Sequence, residues 1–303
     1  MVRVRIDGAV HWLDGTRNGD KSLGALLPPI YKWVLPVRAG GADLEAVPPI
    51  TPRVPRSITV LEVDASSGFE GRMPVKAHLI LRGHEALSIR NALSAMSSAD
   101  AERAIRTYWD QSDNWIESDT GSWRYDEQSA VVQLSVVGTA KLEWEGDDED
   151  GRKLNIYGAG FTPPGEYRRP KEQDQTAPWV MDYPAYRCWA TAIRLPAPSS
   201  KWKWDYRSNP MNQKMGGVTY WRVADMREGV VRTVMSRRND VPEISAAEAQ
   251  EVNRLLPKFD NKMSDVFQIA TDKTPRVHVQ LKGAPFGEDT DWMSPVTPCG
   301  APD

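Results

Sequence analysis

The chain opens on a period-two alternation of apolar and polar residues: VRVRI, then DG, then AVHWLD, over residues 2–14. Successive side chains point to opposite faces of a strand, and an Asp-Gly pair suits a tight hairpin turn, so this stretch predicts two paired strands. The pattern breaks over residues 24–56, which hold LLPPIYKWVLP and VPPITPRVP. Proline fixes φ and supplies no backbone donor, which excludes a central strand or a long helix there. The expectation is an extended link packed by Ile30, Tyr31, Trp33 and Leu35.

Two strong strand patterns follow, SITVLEVDAS at 57–66 and VKAHLILRG at 75–83, joined by a loop at 67–74. Apolar residues spaced by three and four in EALSIRNALSAM (85–96) and SADAERAIRTYWDQ (98–111) predict two helices, with Ser97 or Ser98 as N-cap of the second. AVVQLSVVGTAKLEWEG (130–146) returns to strand, GDDEDG turns, and RKLNIYG is expected to pair back. The proline-bearing, charged stretch 162–178 reads as a domain seam. Beyond it, YRCWATAIRLP and KWKWDY read as strands, and TYWRVADMREGVVRTVMSRR as a hairpin turning at 225–229. ISAAEAQEVNRLL reads as a helix with a Ser245/Glu248 capping box after Pro242, and the tail from about 283 as irregular. Ten or so strands with three helices predict an α+β, mainly β fold of antiparallel sheets packed as β-sandwich-like domains. The boundaries fall at 1–56 (terminal strands and linker), 57–175 (a β domain with a helical insert) and 176–303 (a second β region with one helix).

Composition narrows the function classes. Of 303 residues, 40% are hydrophobic and 26% charged, which is the balance of a folded globular chain. Net charge is -3 with no Lys/Arg block, so the basic stripe that a nucleic-acid partner needs is not seen. No apolar run approaches the length of a membrane-spanning helix. The N-terminus lacks the apolar core of a signal peptide, so the chain reads as cytosolic or as a piece of something longer. Cys188 and Cys299 permit at most one internal disulfide.

VRVRIDGAVHWLDGTRNGD followed by PPIYKWVLPVRAGGADLEAVPP resembles the end of the transglutaminase-like domain of large exported bacterial proteins. In these a papain-type Cys-His-Asp domain is flanked by accessory β domains. REGVVRTVMSRRNDVPEISAAEAQEVNRLLPKFDN is similar to the closing region of such an accessory domain. The resemblance implies that about the first 20 residues end the catalytic domain and that Asp14, in LD-x-T, is the acid that orients the catalytic His. The nucleophilic Cys and that His would lie before Met1. It further implies a periplasmic or exported protein whose partner is the upstream transglutaminase-like domain, and an accessory role in binding or positioning a cell-envelope ligand.

The residues themselves bear on this chemistry. A nucleophilic Cys needs a helix N-terminus or a nearby His to lower its pKa. Cys188 lies mid-strand and Cys299 in a Pro/Gly tail, so both read as structural: a small buried residue and a tail thiol. Strand parity places Val10, Trp12 and Asp14 on one face and His11 on the other, which argues against a His11–Asp14 dyad. The four histidines lack ligand spacing, and GDDEDG lacks the end ligands of a calcium loop, so neither a metal nor any other cofactor is expected.

A carboxylate hydrolase is the alternative. Glu143 and Glu145 would share a strand face at about 7 Å, within the range a glycosidase requires. Asp110, Asp113, Glu117 and Asp119 lie among Trp109, Trp115 and Trp123, as in a sugar cleft or at the rim of an ordinary sheet. Trp202, Trp204 and Tyr206 form one face of a strand; exposed they would bind carbohydrate by stacking, and buried they would be half of a core. A peptide is the other ligand class expected. No phosphate-binding Gly-rich loop and no G-x-S-x-G elbow occur.

Overall fold

A hairpin begins the computed structural model, which describes residues 1–16, 23, 26, 31–278 and 286–300. Strands β1 (Val2–Ile6) and β2 (Ala9–Leu13) pair antiparallel through Asp7 and Gly8, both at positive φ, as a two-residue turn matched to strand twist requires. Among the described residues of the link that follows there are two short strands, β3 (Trp33–Val34) and β4 (Glu45–Ala46), paired with each other. Tyr31, Trp33 and Leu35 are exposed, against the expectation that they pack the link, and Ile30 lies outside the described residues. Two-residue strands between prolines place no sheet beneath these side chains.

Then come β5 (Ser57–Asp64), β6 (Met73–Arg82), α1 (His84–Ser94), α2 (Ser98–Ser112), β7 (Ile116–Asp126) and β8 (Val131–Ala140). They are followed by β9 (Lys153–Asn155), β10 (Trp179–Val180), β11 (Tyr186–Arg194), β12 (Trp202–Arg207), β13 (Met211–Met215), β14 (Val218–Arg227) and β15 (Val230–Asn239). β16 (Glu243–Ile244), α3 (Ala246–Leu255) and β17 (Asp265–Ala270) complete the described elements. The described residues are mainly β with three α-helices, as the patterning predicts.

One eight-stranded sheet dominates, in the order β13-β14-β15-β11-β5-β6-β8-β7. Its neighbours are antiparallel except β11 and β5, which run parallel. Because β11 lies beside β5, this sheet takes strands from both sides of the seam expected at 175. A second sheet, β12-β17-β9, lies on one face of the first. RKLNIYG joins the strand before it through a single bridge, Glu145 with Lys153, and otherwise pairs with β17. The predicted hairpin is therefore replaced by a longer-range pairing.

The two faces of the large sheet carry separate cores. On face one, Leu61, Val63, Val75, Leu79 and Val136 meet α1, α2 and the second sheet. Helix α2 offers Ala101, Ile105 and Trp109 at four-residue spacing, and its N-cap Ser97 accepts from the Asp100 amide. Helix α3 begins with the full Ser245/Glu248 capping box and packs Val252 against Met215, Tyr220 and Met235. Fully burying one such apolar side chain contributes roughly 1.5–3 kcal/mol.

On face two, Ile58, Val60, Ile80 and Val234 are covered by the tail, with Phe286 and Trp292 buried. The tail is irregular, as expected, but Cys299 is no free thiol: it forms a disulfide with Cys188, Cα–Cα 5.8 Å. Arg82 reinforces the clamp by donating to the carbonyls of Trp292, Met293 and Ser294 at 2.8–2.9 Å. Burial lowers the Arg82 pKa to about 10.

Candidate binding groove

Besides the second sheet, face one carries two helical covers, α1 and α2 over β6, β8 and β7, and α3 over β13–β15. The two covers leave a groove of about 560 Å³ over the parallel pair β5 and β11. Strand parity builds its floor. Ile58 and Val60 point to face two, so Thr59 points into the groove; Cys188 points to face two, so Arg187 and Trp189 point into it. Helix α1 supplies Ile89 and Glu85, and α2 supplies Tyr108, at about 100° around the helix from buried Trp109. Tyr108 is 44% exposed and Trp109 1%.

The opposite wall is residues 182–186, anchored by Tyr183. Its hydroxyl donates to the Ile50 carbonyl at 2.8 Å and accepts from the Ile50 amide at 2.9 Å. Burial pushes the Tyr183 phenol above the usual tyrosine range. Glu85, Asp182 and Arg187 line the groove, and their side chains make no hydrogen bond or ion pair among the described residues. The result is an aromatic and aliphatic trough with charges of both signs ready for a ligand. Its volume lies in the range of small-ligand sites, about 300–1,000 Å³.

The sequence-predicted residues lie elsewhere. Asp14 is half-buried at the end of β2, and its Oδ1 accepts from the Thr16 amide at 3.0 Å and the Thr16 hydroxyl at 2.7 Å, an Asx turn. Glu143 and Glu145 are exposed in irregular chain rather than in a strand interior. Glu145 is engaged by Lys153 Nζ and Asn155 Nδ2, each at 3.1 Å. Trp204 and Tyr206 are buried, Trp204 against Phe69 and Trp144, while half-buried Trp202 donates its indole N–H to the Asp148 carbonyl. The aromatic face of KWKWDY is therefore core.

The acids near Trp109 and Trp115 also hold the fold together. Asp110 accepts from the Ser118 amide, Glu117 pairs with Arg72 at 3.2 Å, and Asp119 sits where β7 bulges between Ser118 and Thr120. Burial raises the Asp113 carboxyl above the usual range. Trp115 stacks on Tyr157 with centroids 4.1 Å apart. On face two, His78 Nδ1 lies 2.8 Å from Ser135 Oγ, with the Gln133 amide 3.3 Å from the same ring nitrogen. A serine nucleophile also needs an acid behind its base and donors for an oxyanion; Gln133 in the third place supplies no acid. No group of three or more His, Cys, Asp or Glu among the described residues could hold a metal ion. None of the described helices is long and apolar enough to cross a membrane.

Tyr108, Arg187 and Trp189 do not stand out in the sequence. Parity alone separates Arg187 and Trp189 from Cys188, but only the sheet order shows that Arg187 stays exposed and that Trp189, packed at its edge against the core beneath α3, still lines the groove. The chain matches no family model, and no curated protein or solved structure is similar to it.

Proposed function

We propose that this chain is a non-catalytic binding module of the cell envelope that holds a short peptide in the groove over β5 and β11. The carrying observation is the open trough in which Tyr108 and Trp189 flank unpaired Arg187, Glu85 and Asp182. Aromatic walls take apolar side chains, and free charges of both signs fix the direction of a chain that carries both. The disulfide supports an oxidising compartment, since such bonds persist in exported proteins and are rare in the cytosol. In a longer transglutaminase-like protein, the module would follow the catalytic domain whose end residues 1–20 resemble. Among the described residues, strands β1 and β2 form a sheet with each other alone, which accords with their belonging to a separate unit.

The test is calorimetric titration of the purified chain with synthetic hexapeptides that carry an aromatic residue between one acidic and one basic residue. Saturable binding is expected, weakened about tenfold by Arg187→Glu and by Tyr108→Ala, the loss of one charged hydrogen bond or one aromatic contact. No saturable binding across the panel, or binding indifferent to both substitutions, would overturn the proposal. A panel of chromogenic glycosides should show no turnover above blank, with Glu143→Gln and Glu145→Gln as controls.

A further inference from the structure

On face two, away from the groove, a row of register partners crosses five strands: Lys76, Glu62, Ala192, Arg232 and Asp225 stand abreast on β6, β5, β11, β15 and β14. Every member is charged except Ala192. With strands about 4.8 Å apart, the missing side chain opens a gap roughly 10 Å wide between the strands of Glu62 and Arg232. A cavity of about 420 Å³ occupies this gap. The tail closes one side with Phe286 and Glu288, and Glu288 Oε1 accepts from Arg194 Nη2 at 3.0 Å.

Glu62 and Arg232 are both half-buried, and neither side chain has a hydrogen bond or ion pair among the described residues. Charges withdrawn from water are ordinarily paired, because an unpaired one loses hydration without compensation. Burial holds the Glu62 carboxyl above the usual glutamate range, with Glu288 adding to the shift and Lys76 and Arg232 opposing it. The walls carry three carboxylates (Glu62, Asp64, Glu288) and three cations (Lys76, Arg194, Arg232). A simple anion would meet the first set and a simple cation the second, so a ligand of one sign gains little. A dipolar molecule satisfies both.

We propose that this cavity binds a free α-amino acid, its ammonium against Glu62, its carboxylate against Arg232, and its side chain against Val230 and Phe286. The recognition is by two opposite charges held across a gap, with an apolar wall beside it. It uses the face of the sheet opposite the peptide groove and stands whether or not that groove binds anything.

The experiment is a thermal-melting screen of the whole chain against each common L-amino acid at about 10 mM, followed by calorimetry on any that raise the midpoint, because a ligand that binds only the folded state stabilises it in proportion to occupancy. At least one amino acid should bind, and its N-acetyl and carboxamide derivatives should bind about tenfold more weakly or worse, each having lost one charged contact. Glu62→Gln should weaken binding by a similar factor while melting no lower than the wild type, since it removes an unpaired half-buried charge. Ala192→Leu, which fills the gap and leaves both charges in place, should abolish binding while the circular dichroism of the fold is kept. No stabilisation by any amino acid, equal binding of the N-acetyl derivatives, or full affinity in Glu62→Gln would overturn the proposal.

Discussion

Cys188 and Cys299 form a disulfide that closes 111 residues of sequence and ties the centre of the large sheet to the tail over its second face. Chain-entropy arguments assign a loop of that size about 4–5 kcal/mol of stabilisation, through restriction of the unfolded chain. The paired variant Cys188→Ala/Cys299→Ala should therefore lose several kcal/mol in urea unfolding. Wild-type protein should show no titratable thiol until denatured and reduced. Equal unfolding midpoints with and without dithiothreitol would refute the clamp.

Tyr108 and Trp109 are adjacent on α2 and should respond in opposite ways. Tyr108 is a groove residue, 44% exposed, so Tyr108→Ala should change stability by no more than about 0.5–1 kcal/mol. Trp109 is fully buried against face one, and Trp109→Ala should cost about 3–5 kcal/mol. Chemical denaturation of both variants measures the contrast. A large stability loss in Tyr108→Ala would mean that the ring supports the fold rather than lining an open site.

These two residues also mark how far the sequence reaches. The α2 periodicity and the Ser97 and Ser245 caps are local signals, and the structure keeps them. Strand β7 escapes the pattern because it is an edge strand. It buries only Ile116 and Ser118, and the rest of its residues are polar or half exposed, so no apolar alternation marks it. The exposed Tyr31, Trp33 and Leu35 show the converse, that an apolar residue is not obliged to be buried. The groove, the amino-acid cavity and the disulfide all depend on β11 returning beside β5. That is a long-range choice which periodicity does not encode.

His78 should make the protein acid-sensitive. Burial first, then the charges of Arg124 and Lys76, pushes its pKa below the ordinary value of 6.5. The unfolded chain therefore binds this proton more readily than the folded one. The contribution to stability is complete above pH 6.5 and is lost as pH falls through the lower folded value. His78→Gln, which keeps a polar partner for Ser135, should flatten that part of the stability profile. Urea melts at a series of pH values below neutrality provide the comparison. An unchanged slope in the variant would show that other groups set it.

Gly138 lies opposite the β7 bulge and has no room for a side chain. A Cβ there would sit 2.1 Å from the Glu117 carbonyl oxygen, which is backbone and cannot rotate away. Strand β8 is held on its other side by β6, so the clash has to move β7. Gly138→Ala should cost about 2 kcal/mol or more, at the upper end of overpacking penalties. Amide exchange in residues 116–126 should quicken first, because β7 is the edge that yields. Gly165 is the control: a Cβ there meets nothing within 4 Å. Gly165→Ala should be neutral, or stabilise slightly by restricting the unfolded chain. If the two variants unfold alike, Gly138 is not what lets β7 approach β8 at its bulge.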